Sequence, residues 1–92
     1  MIEGFKHKGL RRFYEDNDRS GVNPEYAEKI KKILSMLDAA ETAEEMDVAT
    51  FRFHALAGNR KGTYSVTVRA NWRITFRFEG GNALDVNFED YH

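Results

Sequence analysis

Tyr64-Ser65-Val66-Thr67-Val68-Arg69-Ala70-Asn71-Trp72-Arg73-Ile74-Thr75-Phe76-Arg77-Phe78 is the stretch on which the fold turns. Apolar and polar residues alternate on both sides of its centre, the two-residue period of a strand with one buried face. Apolar Val68 and Trp72 must face the same side, so the loop between the strands is expected to hold an odd number of residues. That register predicts Thr67 opposite Thr75 and Arg69 opposite Arg73. Like charges opposed across a ladder are unfavourable. Either each arginine pairs with its own acidic neighbour, such as Glu89 or Asp90, or the two share an anion. The planar guanidinium fork suits a phosphate.

Working outward, the same period continues in Leu84, Val86 and Phe88, which alternate with Asp85, Asn87 and Glu89. Upstream, Phe51 and Phe53 alternate with Arg52 and His54, which ends that strand on the polar face of Arg69 and Arg73. Four strands with one apolar and one polar face predict an antiparallel sheet covered on one side. Before residue 50 the period lengthens. Tyr26, Ile30, Ile33, Leu37 and Ala40 recur at three- and four-residue steps, and Asn23-Pro24 supplies a cap and a first-turn proline. A shorter helix is expected over His7 to Glu15, a polar loop over Glu15 to Asn23, and a short edge strand over Ile2 to Phe5. Thr42 and Glu45 have capping-box spacing. Helices first and a meander after make an α+β fold, N-terminal helices packed on one face of a small antiparallel sheet, in one domain over residues 1–92.

Ninety-two residues with 41% hydrophobic and 13% aromatic side chains suffice for one modest core. The absence of cysteine excludes disulfides, a cysteine nucleophile and thiolate metal sites. With no signal peptide or long apolar run, a reducing cytoplasm is the expected compartment and no membrane contact is expected. The net charge of −1 hides a segregation. Five acids lie between Asp38 and Asp47, whereas Val48 to Phe78 carries Arg52, Arg60, Lys61, Arg69, Arg73 and Arg77 and no acid. Lys6, Lys8, Arg11 and Arg12 form a second basic group. Local fields, not the sum, decide what a surface attracts.

Asp90-Tyr91-His92 adds a carboxylate, a phenol and an imidazole. An imidazole titrates near 6.5, so His54 and His92 flanking a phosphate can divide proton transfer between them. One takes the proton of a ribose 2′-hydroxyl and the other protonates the departing 5′-oxygen. Arginine stabilises the charge on five-coordinate phosphorus. No metal is required, and the acids offer no compact ligand set. Strict alternation sends Asp90 and His92 to the apolar side. The last strand must therefore bulge, twist away or leave the sheet after Phe88, or the site must lie at an open corner where both faces meet.

Phe5-Lys6-His7-Lys8-Gly9-Leu10, Gly58-Asn59-Arg60-Lys61-Gly62, Val68 to Ile74 and Asp90-Tyr91-His92 carry a resemblance that runs essentially end to end. The chain resembles the HigB-type toxins of the RelE/ParE toxin–antitoxin superfamily. The resemblance implies a RelE-like microbial RNase fold and a cytoplasmic, metal- and cofactor-independent endoribonuclease. Such an mRNA interferase enters the A site of the 70S ribosome, against 16S rRNA, and cuts mRNA. It is held inactive by a helix-turn-helix antitoxin of HigA type. Carried over by position, His54, Arg73, Asp90, Tyr91 and His92 form the catalytic group, and Arg60, Lys61 and Arg69 contact RNA phosphates. Lys6, Lys8, Arg11 and Arg12, with Lys29, Lys31 and Lys32, are placed to grip ribosomal RNA. One position departs. Where many relatives read His-x-Leu-Lys-Gly, this chain has His54-Ala55-Leu56-Ala57-Gly58, so any role for a lysine there is absent; natural variation is the simpler reading, and catalysis is weakened if Ala57 replaces a functional lysine. The same fold without nuclease activity, as in gyrase-inhibiting members, and a plain nucleic-acid- or protein-binding module are the competing readings.

Overall fold

The computed structural model describes residues 1–90, built from two helices and a four-stranded antiparallel sheet. Helix α1 spans Lys8–Asp16 and α2 spans Pro24–Ala39. Helix α1 starts where the spacing predicted, with His7 as its cap. The His7 Nδ1 accepts the Leu10 amide at 3.0 Å. Asn23 caps α2 by accepting the Glu25 amide at 2.9 Å, and Pro24 occupies the first turn. The capping box also forms: the Glu45 carboxylate takes the amides of Glu41 and Thr42 at 2.7 and 2.9 Å, opening a 3₁₀ turn over Ala43–Met46.

The strands are β1 (His54–Ala55), β2 (Thr63–Arg69), β3 (Trp72–Glu79) and β4 (Asn82–Asp90), in that order across the sheet. The helices cover one face. Leu10, Ile30, Ile33, Leu34 and Leu37 pack there with Phe51, Val66, Ile74, Phe76, Ala83 and Val86, all fully buried. Each large side chain among them contributes about 1.5–3 kcal/mol, so this single layer supplies the core of the domain. The N-terminal segment lies parallel beside β4, with Ile2 bridged to Ala83 and Phe5 to Val86. It meets the expected edge strand as two separate bridges.

Three expectations are corrected. First, the β2–β3 loop holds two residues, not an odd number: Arg69 pairs with Trp72, and Ala70 takes the left-handed turn conformation at φ 51°. The parity of Val68 and Trp72 is restored by a bulge between Thr67 and Arg69. Thr67 therefore opposes Arg73, Ser65 opposes Thr75, and the two arginines are not opposed. Second, the strand expected to run from Phe51 and end at His54 instead begins there and lasts two residues. Arg52, at φ 49°, bends the chain between Phe51 and Phe53 and spoils the ladder upstream. Third, Leu84 does not face the core. A bulge in the β3–β4 ladder and Asp85 at φ 53° shift the alternation by one, so Ala83 is buried and Leu84 opposes Arg77.

A polar sheet face as candidate active site

Opposite residues in an antiparallel ladder share a face, so the register lays out the side of the sheet away from the helices in rows. One row runs His54, Ser65, Thr75, Asn87 across all four strands. The next, towards one end, runs Thr67, Arg73, Glu89. Towards the other end Thr63 opposes Arg77. His54 and Arg73 thus share the polar face as the alternation predicted, two strands and one row apart, about 12 Å by strand spacing and rise.

Glu89 is the hub of this face. Arg60, from the 3₁₀ turn Gly58–Arg60 between β1 and β2, reaches over to β4. It donates from Nη1 and Nη2 to the two Glu89 oxygens at 3.0 and 2.7 Å. Thr75 Oγ1 donates to the same carboxylate. Arg60 thereby bridges the β1–β2 loop to β4, at a carboxylate it shares with Thr75, which is only 2% exposed. The Arg60 hydrogen bonds hold the Glu89 carboxyl below its usual range, helped by Thr75 and the charges of Arg60 and Lys6 and opposed by burial. Arg73 Nη1 donates to Thr67 Oγ1 at 2.7 Å, which fixes its guanidinium over the row. An open cleft of about 280 Å³ lies beside the clamp, lined by Lys6, Asn59, Arg77, Asp85, Asn87 and the clamp itself.

The corner beyond Arg73 carries Asp90. Strand β4 pairs in regular steps from Asn87 to Asp90, and Asp90 opposes Trp72. Among the described residues no bulge follows Phe88. Asp90 is exposed on the helix-bearing side, next to a Trp72 indole stacked on Phe88 at 4.8 Å between centroids. Phe88 meets His7 edge-on at 5.8 Å, so the cap of α1 braces this corner. Burial, aided by Arg12, holds the His7 imidazole below its usual titration range and keeps Nδ1 able to accept the cap hydrogen bond. Tyr91 and His92 lie outside the described residues.

The remaining sequence candidates divide. Arg69 is not with His54 and Arg73. The bulge turns it to the helix side, where it pairs with Glu25 of α2 at 3.6 Å. Lys61 is exposed just beyond the Gly58–Arg60 turn. Lys6 stands in the cleft, whereas exposed Lys8, Arg11 and Arg12 ride on α1, Arg12 facing Asp18 at 3.6 Å. Sequence reasoning did not place Thr75, Arg77 or Asn87 in the site, and it named Glu89 only as a possible partner for an arginine. The period of two contained the signal: Thr75 and Arg77 follow Arg73 at steps of two, and Asn87 and Glu89 do the same on β4. Among the described residues no group of three histidines or acids is arranged to hold a metal ion, and no helix is long and apolar enough to cross a membrane.

This polar face lies on a chain with well-defined relatives. Over its full length it is 45% identical to "Endoribonuclease HigB" of Proteus vulgaris, also matched in full. It is 34% identical to "Toxin HigB-1" of Vibrio cholerae serotype O1, over 99% of this chain and 98% of that protein. Residues 3–92 match the model of the HigB-like toxins, the RelE-like toxins of type II toxin–antitoxin systems, and the chain belongs to that family.

Proposed function

We propose that this protein is the toxin of a type II toxin–antitoxin pair and an endoribonuclease that cuts mRNA in the A site of the 70S ribosome. The observation that carries the reading is the register: His54 and Arg73 share one polar face, and Asp90 stands at its open corner. A phosphodiester on this face meets a fixed guanidinium and an exposed imidazole, with the Asp90 carboxylate across the edge on the helix-bearing side. The 2′-hydroxyl loses its proton to a base as its oxygen attacks phosphorus. The P–O5′ bond breaks, the 5′-oxygen takes a proton from an acid, and a 2′,3′-cyclic phosphate and a 5′-hydroxyl remain.

His54 and His92 are assigned the two proton transfers, Arg73 the phosphorane charge, Asp90 the orientation of a neighbour, and Tyr91 the stacking or orientation of the nucleotide. Proton transfer of this kind contributes about 10²–10⁴-fold per group. Lys61 approaches the RNA backbone from the β1–β2 side of the face, with Arg60 adding charge from its clamp. Lys8, Arg11 and Arg12 grip 16S rRNA by sequence-independent phosphate contacts. The protein acts in the cytoplasm, and a HigA-type helix-turn-helix antitoxin restrains it. Primer extension on mRNA with 70S ribosomes and EDTA tests the reading. Cuts made by the parent protein, absent without ribosomes and abolished in His54→Ala, are expected. Cuts surviving in His54→Ala remove that residue from catalysis. For a silent parent, cleavage restored by Ala57→Lys means a disabled nuclease, and continued silence a non-nucleolytic toxin of the same fold.

A further inference from the structure

We propose that the cleft beyond the Arg60–Glu89 clamp is a second RNA subsite, which takes the phosphate–ribose backbone flanking the scissile bond; this rests on the nuclease reading. The cleft holds about 280 Å³ and opens on the same polar face as Arg73. Arg73 and Arg77 are four residues apart on β3, about 13 Å at the rise of a strand, with Thr75 between them. An extended polynucleotide crossing the face from Arg73 reaches Arg77 within a few nucleotides.

The donors sit on rigid elements. Arg77 belongs to β3, Asn87 to β4, and Lys6 is pinned beside β4 by its amide, which donates to the Val86 carbonyl at 2.8 Å. The carboxylates in the cleft do not cancel this charge. Glu89 is matched by the bidentate Arg60. Arg77 meets Glu79 and Asp85 only at 3.3 and 3.8 Å, with side chains about half exposed. Surface pairs of this kind are worth little, so the guanidinium turns to a phosphate at small cost. The lining holds no aromatic ring among the described residues. Bases bound without pairing partners are ordinarily held by stacking on such rings. The subsite therefore grips backbone, not bases, and adds affinity and direction without adding sequence preference.

The test is single-turnover cleavage of mRNA on ribosomes by the full chain, Arg77→Gln, Lys6→Gln and their double variant, with Arg52→Gln as the control for the loss of one charge elsewhere. The double variant is expected to raise the half-saturating protein concentration about tenfold and to keep the maximal rate. Its salt dependence is expected to flatten by about 0.7 for each phosphate that is no longer neutralised. A shift no larger than that of Arg52→Gln overturns the proposal. A second measurement stands apart from activity: the backbone amide resonances of Asn59 and Asn87, titrated with a short 2′-deoxy oligonucleotide, inorganic phosphate or polyglutamate. Movement with the oligonucleotide alone, abolished in the double variant, supports the subsite even if the parent protein never cleaves. An equal response to phosphate makes it a lone-anion site, an equal response to polyglutamate makes it an acidic-protein surface, and no response empties it. Each of these three results overturns the proposal.

Discussion

Glu89 shows how one side chain organises a surface. Its carboxylate closes a bidentate bridge from the β1–β2 loop to β4 and takes the Thr75 hydroxyl beneath. Charge-assisted hydrogen bonds of this kind contribute about 1.5–3 kcal/mol. Arg60→Gln and Glu89→Gln are each expected to destabilise the fold by about 1–2 kcal/mol. The double variant should be less destabilised than the sum, and urea unfolding of the cycle measures the coupling. Because the native carboxyl titrates below its usual value, this stabilisation is complete above the usual carboxylate range. It is lost as pH falls through the lowered native value. His7 adds a second acid-sensitive element. Its native value lies below 6.5, so the unfolded chain binds the proton first and stability falls as pH drops from about 6.5 towards that value. His7→Asn should keep a cap and flatten this limb, whereas His7→Ala should cost about 1 kcal/mol at neutral pH; pH-dependent thermal unfolding separates them. Ala57, exposed beside the site, offers the reverse experiment. Ala57→Lys is expected to raise the single-turnover cleavage rate by up to about 10²-fold, the scale of a positioned charge at a developing anion.

At the scale of elements, the sheet depends on where its alternation breaks. Asp85 takes a left-handed backbone and advances β4 by one residue against β3, which brings Asn87 and Glu89 to the polar face and Ala83 to the core. Asparagine tolerates that conformation and a β-branched residue does not. Asp85→Asn should therefore be near neutral and Asp85→Val should cost about 1–3 kcal/mol, as denaturant midpoints would report. Much of the architecture was legible because it rests on local rules. Asn23-Pro24 fixes the start of α2, the three- and four-residue steps fix its buried stripe, and the period of two gives β2, β3 and most of β4. The bulges at Thr67/Arg69 and Asp85 were not legible, since an L-residue with positive φ leaves no mark as plain as glycine's. Each bulge moves side chains between faces. That is why His54 and Arg73 were placed together correctly while Arg69 was assigned to the wrong side.

At the scale of the molecule, three distant segments are tied by one carboxylate. Asp38 on α2 accepts the Ile2 amide at 2.8 Å and the hydroxyl of Tyr14 on α1. Burial first, then Asp38, pushes the Tyr14 phenol up to about 12. The unfolded phenol ionises near 10, so the stabilisation is complete below that pH and is lost as pH rises from there to about 12. Tyr14→Phe should remove this alkaline limb in a pH series of thermal unfolding curves. The site was legible to the extent that it is made of charged and aromatic residue types in a rare combination. Its clamp and cleft were not, because Arg60 meets Glu89 across 29 positions of sequence.

The parallel bridges between Ile2 and Ala83 and between Phe5 and Val86 join an early segment of the chain to one translated much later. A growing chain cannot close that edge until residue 86 has cleared the exit tunnel, and pairings so distant in sequence form slowly. The N-terminal edge of the sheet therefore closes only after β2 and β3 have been made.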